Sequence, residues 1–162
     1  MHQWIVLLHI VGAFVFVLSH GVSAWMAVLL RGERDRARIA ALLDLSEASI
    51  GGVYVGLLLL LVGGIWGGIY ANHFSRGWIW AAIGVLLLIM VAMYAIASPF
   101  FNGLRVAVGV RSRYGPRNAP MPPPASDADV GTLAARAPLA PLLGIGLGGL
   151  LIILWLMVLK PF

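Results

Sequence analysis

Four histidines, His2, His9, His20 and His73, are the residues of this sequence whose type and spacing indicate chemistry. The first three are seven and eleven residues apart. At 3.6 residues per turn these offsets place them within about 20° of one another on one helix face. An apolar helix normally turns ionisable side chains towards its neighbours or a wet cavity. His9 and His20 are therefore the candidate cofactor-binding residues.

Imidazole nitrogen at these positions would act as a ligand to a metal or to haem iron. His9 and His20 lie about 16 Å apart along a helix, so they cannot share one iron. His2, His9 and His73 are expected on one side of a membrane, where they form a candidate metal site for copper or zinc. His9 is also a candidate axial ligand of haem b. The alternative is a structural role, in which each histidine hydrogen-bonds to a neighbouring helix.

The remaining composition excludes several other kinds of site. The chain has no cysteine, which rules out disulfides, thiolate metal sites, iron–sulfur clusters and cysteine nucleophiles. No acidic residue and no lysine lies inside an apolar run. The chain therefore lacks the charged residues that a charge-driven pump or a proton relay across the membrane midplane would need. No catalytic residue is predicted.

The apolar content predicts an integral membrane protein of the all-α class. Of the 162 residues, 61% are hydrophobic and 10% are charged, more apolar than a soluble domain of this size can bury. Four apolar runs predict a single antiparallel four-helix bundle over residues 1–162. The predicted spans are about 4–30, 50–70, 78–98 and 139–159, joined by loops 31–49 and 102–138 and by a short turn, 71–77. Residues 38–49 are amphipathic and predict a lead-in helix near the interface, and Ser98-Pro99 predicts a break or kink.

The basic residues predict the orientation of the bundle. Nine of the eleven fall in loops 31–49 and 102–138, Arg113 and Arg117 among them, which leaves Arg76 and Lys160 on the other side. The positive-inside rule then makes both loops cytoplasmic and places both termini and the His73 turn on the non-cytoplasmic side. The net charge of +5 is explained by this orientation, so nucleic acid is not expected as a partner. The predicted location is a bacterial plasma (inner) membrane, with multiple passes through the bilayer.

Glycines spaced four residues apart predict close helix packing. The pairs are Gly52 and Gly56, Gly63 and Gly67, and Gly144 and Gly148. Small residues at this spacing share a helix face and let another helix approach closely. That helix could belong to this chain, to a second copy of it, or to another membrane subunit.

The segment of residues 4–12, with its Leu8-His9 step, resembles the first helix of a diffuse group of small bacterial membrane proteins. The group includes the copper-resistance protein D family, the HemJ-type protoporphyrinogen oxidases and a membrane family of unknown function. The charged first loop and the glycine-rich second span are most similar to the last of these. The resemblance implies the fold and a ligand at His9. HemJ-type enzymes also use a lysine in the third helix, which this chain lacks, so oxidase activity is not implied.

Three functions follow from these observations. The first is a non-catalytic accessory or packing subunit of a membrane complex, or a homo-oligomer. The second is a redox or metal-handling protein that binds haem b or copper through His9. The third is a small-solute transporter, for which Pro99 and Pro141 are the hints of broken helices.

Overall fold

Helices account for nearly all of the described chain. The computed structural model describes residues 2–111, 118 and 120–162. Within these residues it has no strand, so the predicted all-α class is confirmed. The helices are α1 (His2–Gly32), α2 (Arg36–Tyr70), α3 (Gly77–Val108), α4 (Asp127–Ala135) and α5 (Leu139–Leu159), and a 3-10 helix at His73–Ser75 lies between α2 and α3. Arg113 and Arg117 of the predicted loop 102–138 lie outside the described residues.

Four helices, α1, α2, α3 and α5, are long and apolar enough to cross a membrane. The 35 residues of α2 extend about 52 Å, which exceeds the roughly 30 Å of bilayer hydrocarbon. Large apolar side chains such as Leu58, Leu88 and Leu151 point outward from these helices. Contiguous apolar surface of this extent is stable in lipid rather than in water. The architecture is that of a multi-pass membrane protein with a helical bundle.

The second helix includes the segment predicted as a lead-in helix. Residues 38–49 were expected to form a helix near the interface that leads into the second span, and in the structure they belong to α2, which runs without interruption from Arg36. The Asp35 carboxylate caps the helix by accepting a hydrogen bond from the Arg38 backbone N–H at 2.8 Å. No glycine or proline lies between Arg36 and Ile50 to end it. Ile39 on its first turns is fully buried, which holds this end of α2 against the other helices.

The third helix continues through Pro99 to Val108, beyond the predicted span 78–98. A proline removes one backbone donor, which a membrane helix tolerates when nearby groups satisfy the backbone. The Asn102 side-chain amide also donates to the Ser98 carbonyl at 2.7 Å, although this is not the carbonyl four residues before Pro99 that loses its donor. The helix ends where Gly109 adopts a φ of 91°, a left-handed conformation that glycine reaches without strain.

Two helices, α1 and α2, pack along one another in opposite chain directions. Phe16 of α1 lies against Gly56 of α2, and His9 lies against Gly63. A Cβ atom on Gly56 would overlap the Phe16 backbone, and one on Gly63 would lie 2.7 Å from the His9 backbone nitrogen. The two backbones can meet this closely because glycine has no side chain at these points.

The other pair, α3 and α5, also runs in opposite directions. Gly149 of α5 lies against Ile89 of α3, and the Trp78 backbone N–H donates to the Phe162 carbonyl at 3.2 Å. A buried cluster joins the two helices near this point. Its members are Trp78, Ile79, Ala82 and Leu156. We call this end of the molecule, with Tyr70, Trp78 and Trp80, the aromatic end.

The opposite end, which carries Arg36 and Arg105, is the arginine end. There α4 packs beneath the long helices, with Ser126 as its N-cap accepting from the Asp129 backbone N–H at 3.2 Å. A buried apolar cluster links α1, α2, α3 and α4. It consists of Met26, Leu30, Ile39, Leu43, Leu104, Val108, Val130 and Ala134. This cluster connects the α1–α2 pair to the α3–α5 pair.

The close approach of α1 and α2 makes a prediction about glycine substitutions. Gly56→Ala is expected to lower the free energy of unfolding by about 1–3 kcal/mol relative to Gly51→Ala, because the added methyl group meets the Phe16 backbone. Gly51 is the matched control, since it lies in the same helix and a Cβ there meets no described atom. Unfolding of the two variants in mixed detergent micelles measures the difference. Equal stabilities would contradict the packing.

Candidate functional site

His9 is held by a backbone carbonyl of the neighbouring helix. Its Nδ1 lies 2.8 Å from the Leu60 carbonyl oxygen, and the ring rests beside Gly64. A carbonyl oxygen can only accept, so Nδ1 carries the proton and donates it. This bond fixes the orientation of the ring and leaves Nε2 without a hydrogen bond to any described residue. A histidine that ligates a metal is commonly oriented by such a bond, and a purely structural histidine makes the same contact.

His20 lies where α1 approaches α5. Its Nε2 is 3.0 Å from the point that a Cβ on Gly146 would occupy, and the Met93 methyl carbon is 3.9 Å from the same point. The ring stacks parallel to Phe16, with the centroids 6.0 Å apart. Neither ring nitrogen has a hydrogen-bond partner among the described residues. The Met93 side chain thus reaches the same part of α5 as the His20 ring.

His2 and His73 each contact an aromatic side chain at the aromatic end. The His2 ring stacks on Tyr70 at 5.4 Å, and the His73 ring meets Trp78 edge-on at 5.2 Å. In residues 2–111, 118 and 120–162, no three His, Cys, Asp or Glu side chains are grouped so that they could hold one metal ion. The structure therefore does not assemble His2, His9 and His73 into one ligand set. Their role as ligands stays a prediction.

The aromatic end carries an open cavity of about 250 Å³ beside His73. Arg76, Lys160 and Trp78 also line it, and the Lys160 ammonium lies 5.6 Å from the centre of the Trp78 ring. Burial lowers the pKa of His73, and the positive charges of Lys160, Arg76 and His2 lower it further. Charging His73 therefore costs stability: the cost is absent well above the ordinary value of 6.5 and grows as the pH falls through 6.5 to the lower folded pKa.

Serine hydroxyls form a second polar contact between α1 and α2. Ser23 Oγ lies 3.1 Å from Ser46 Oγ and 2.9 Å from Ser49 Oγ, and Ser49 Oγ donates to the Ser46 carbonyl at 2.7 Å. Hydroxyl groups facing lipid would have no such partner, so these three side chains stabilise the α1–α2 interface.

Arg105 is the one charged residue among the described residues that is buried in this fold. Its guanidinium lies 2.5 Å from the Glu47 carboxylate and 3.4 Å from the Asp44 carboxylate, and it donates to the Leu43 carbonyl at 3.3 Å. Its Nε is buried and has no partner in the described part of the chain. This ion cluster ties α3 to α2 at the arginine end, because Arg105 belongs to α3 and its partners belong to α2.

Sequence reasoning did not find this cluster. Asp44 and Glu47 are three residues apart on one face of α2, and the arginine nearest to them in the sequence is Arg38. The nearby Arg38 instead forms an ion pair with Glu33 at 3.6 Å. The sequence does show two carboxylates close together near a predicted membrane boundary. No local pattern connects them to Arg105.

Arg36 makes a second connection at the same end. Its Nε lies 2.6 Å from the Asp127 carboxylate, and its other nitrogens donate to the carbonyls of Ala107 at 3.2 Å and of Ala125. One side chain thus joins the start of α2 to the end of α3 and the start of α4.

The glycines predicted to pack helices divide into two groups. Those of α2 face α1, and those of α5 face no described residue. The first group is Gly52, Gly56, Gly63 and Gly67. The second is Gly144 and Gly148, where a Cβ would find nothing within 4 Å. On α5, Gly146 and Gly149 make the close contacts instead, with His20 and Ile89.

Comparisons of this chain with protein-family models, with curated proteins and with solved structures found no match. The resemblance carried by Leu8-His9 therefore stays an expectation, and function has to be argued from the side chains and surfaces described above.

The Arg105 cluster predicts a stability loss that depends on its partners. Arg105→Ala is expected to lower the free energy of unfolding by about 2 kcal/mol, between the values typical of exposed and of buried ion pairs, because it removes the guanidinium that pairs with Glu47 and Asp44. Arg38→Ala is the control, since its ion pair is exposed, and a loss below about 0.5 kcal/mol is expected there. Unfolding in mixed micelles measures both.

The double variant Arg105→Met with Glu47→Leu separates charge from packing. It replaces both the guanidinium and the carboxylate closest to it by apolar side chains, so it is expected to recover most of the stability lost in Arg105→Ala. A double variant that is no more stable than Arg105→Ala would show that the cluster acts by packing alone.

Proposed function

We propose that this protein is a non-catalytic membrane component that associates with a second copy of itself through the outward face of α5. The observation that carries the proposal is the open position of Gly144 and Gly148, which meet no described residue although Gly146 and Gly149 on the same helix are in close contact. In lipid, where the hydrophobic effect does not drive helices together, faces of small residues are what permits close association.

The other glycine pairs are not available for a partner. Gly56 and Gly63 of α2 already face the backbone of α1, so a substitution there would test the fold rather than the assembly. The outward face of α5 continues past Gly148 to Leu151 and Trp155, both exposed and spaced three and seven residues farther along the helix. A two-fold contact along this stripe would bring the glycines of two copies together and bury the larger side chains beside them.

We further propose that the arginine end faces the cytoplasm of a bacterial cell and the aromatic end faces outward, in an antiparallel bundle. The charge distribution supports this orientation, because nine of the eleven basic residues fall in residues 31–49 and 102–138 of the sequence. The tryptophans and Tyr70 around the His73–Ser75 turn support a boundary with the opposite headgroups.

Substitution of the outward glycines tests the association. Gly148→Leu and Gly144→Leu are each expected to weaken self-association in lipid or mild detergent at least tenfold, because the added side chain separates the two helices. Gly84→Leu is the matched control: Gly84 also meets no described atom, and it has Trp80 and Leu88 four residues away instead of a second glycine. Förster transfer between labelled copies, measured against protein-to-lipid ratio, reports the affinity.

The protein could instead be monomeric and co-purify with another membrane protein that Gly148→Leu no longer binds. That result would indicate an accessory role in a complex rather than self-association. An unchanged oligomeric state and unchanged co-purification in both α5 variants would contradict the proposed function.

A second candidate function, binding of haem b or copper, is favoured by one observation. His20 lies within the spanning region with no hydrogen-bond partner among the described residues, and a Cβ on Gly146 would lie 3.0 Å from its Nε2 and 3.9 Å from the Met93 methyl carbon. A polar side chain in hydrocarbon is normally bonded, and an imidazole beside a thioether matches the ligand preferences of copper(I) and of haem iron. His9, whose Nε2 also lacks a described partner, is the other ligand that this function would use.

This candidate predicts a cofactor in protein purified from its native membrane. An absorption spectrum with metal analysis should then show a Soret band at roughly 400–430 nm or stoichiometric copper, and His20→Ala or His9→Ala should remove it. Gly51, where an added Cβ meets no described atom, provides the control variant Gly51→Ala, which is expected to retain the cofactor. Colourless protein without bound metal would rule this function out.

A further inference from the structure

The cavity at the aromatic end has the charge of an anion-binding site. Three basic groups, His73, Arg76 and Lys160, line its volume of about 250 Å³, and Asn72 and Ser75 add polar groups. Burial first, and then the charges of Lys160 and Arg76, hold the pKa of His73 below its usual range, so Arg76 and Lys160 are the cations at neutral pH. Cations gathered around one opening attract a negatively charged ligand.

No side chain of the protein neutralises these charges. All six acidic residues of the sequence lie in loops or helix ends at the arginine end, at positions 33, 35, 44, 47, 127 and 129. Neither Arg76 nor Lys160 forms an ion pair with a described residue. Lys160 is positioned by its contact with the Trp78 ring, which leaves its ammonium hydrogens available for an anion.

Backbone N–H groups add to the same potential. α3 begins at Gly77, next to the cavity, and its N-cap Arg76 makes no side-chain capping bond. The Trp78 N–H donates to the Phe162 carbonyl, so one donor of the first turn is used within the fold. The remaining donors and the positive end of the helix dipole favour an anion beside Arg76.

The position of the cavity determines which anion reaches it. Tyr70 and Trp80 are exposed next to it, and aromatic side chains of this kind lie at the level of the lipid headgroups. Ile69, two-thirds exposed on the last turn of α2, offers an apolar surface just below. We propose that the cavity binds the phosphate of an anionic phospholipid whose acyl chains lie along this apolar surface.

Lipid binding is measured on the whole protein by native mass spectrometry from mild detergent. Phosphatidylglycerol is compared with phosphatidylcholine of the same acyl chains, and the first is expected to bind at least tenfold more tightly. Arg76→Gln and Lys160→Gln should each reduce this preference about fivefold, the contribution of one basic residue at a membrane surface. Arg136→Gln, exposed at the arginine end, is the matched control and should leave binding unchanged.

A spectroscopic readout distinguishes a built site from general attraction of charge. A phosphate beside His73 should raise the pKa of that imidazole when phosphatidylglycerol is added, as measured by nuclear magnetic resonance, and Lys160→Gln should weaken the response. Both substituted side chains lie at the surface, so each variant is expected to fold. The helical circular dichroism of each variant verifies this.

Three outcomes would overturn the proposal. Equal binding of the two lipids, or equal phosphatidylglycerol binding by Arg76→Gln and the unsubstituted protein, would show that the cavity is not the site. Displacement of the lipid by millimolar inorganic phosphate, with the same rise in the His73 pKa, would show that the ligand is a soluble anion. None of these results depends on the association through α5, which the glycine variants test independently.

Discussion

The close approach of α1 and α2 is the packing constraint on which most other contacts of this protein depend. In lipid, two helices gain no hydrophobic free energy by meeting, so van der Waals contact and hydrogen bonds must hold them together. Gly12 of α1 and Gly56 and Gly63 of α2 bring the backbones together without intervening side chains. Only at this distance can His9 reach the Leu60 carbonyl and Ser23 reach the hydroxyls of α2.

Polar groups divide the molecule into three levels. At the arginine end, Arg105 and Arg36 bond to carboxylates and carbonyls of other helices, and they join the two helix pairs where water can reach them in part. In the middle, lipid surrounds the bundle and the polar side chains turn inward to the helix interfaces. At the aromatic end, by contrast, the basic residues have no acidic side chain to pair with. Ion pairs at the arginine end therefore stabilise the fold, whereas the aromatic end carries an open cavity lined by basic residues.

The proposed roles use surfaces that the fold itself does not need. Gly144 and Gly148 contact nothing described, although neighbouring glycines on α5 are packed, so association there would not compete with the bundle. His20 differs from His9 in the same way: His9 has a hydrogen bond that explains its presence, and His20 has only an aromatic neighbour and a nearby thioether. A group whose presence packing does not explain is the better indication of a bound ligand.

The sequence by itself determined the all-helical class, the four apolar helices and the absence of thiol chemistry, because span length and hydropathy are local properties of the chain. It also marked the glycines and histidines as special, but not which of them would be used inside the fold. Only the tertiary structure decided that α2 is continuous from Arg36, that Gly146 rather than Gly144 meets another helix, and that Arg105 is the partner of Glu47. The physical reason is that the rotation and register of a helix depend on all of its contacts together, and residues 58 positions apart leave no local pattern that connects them.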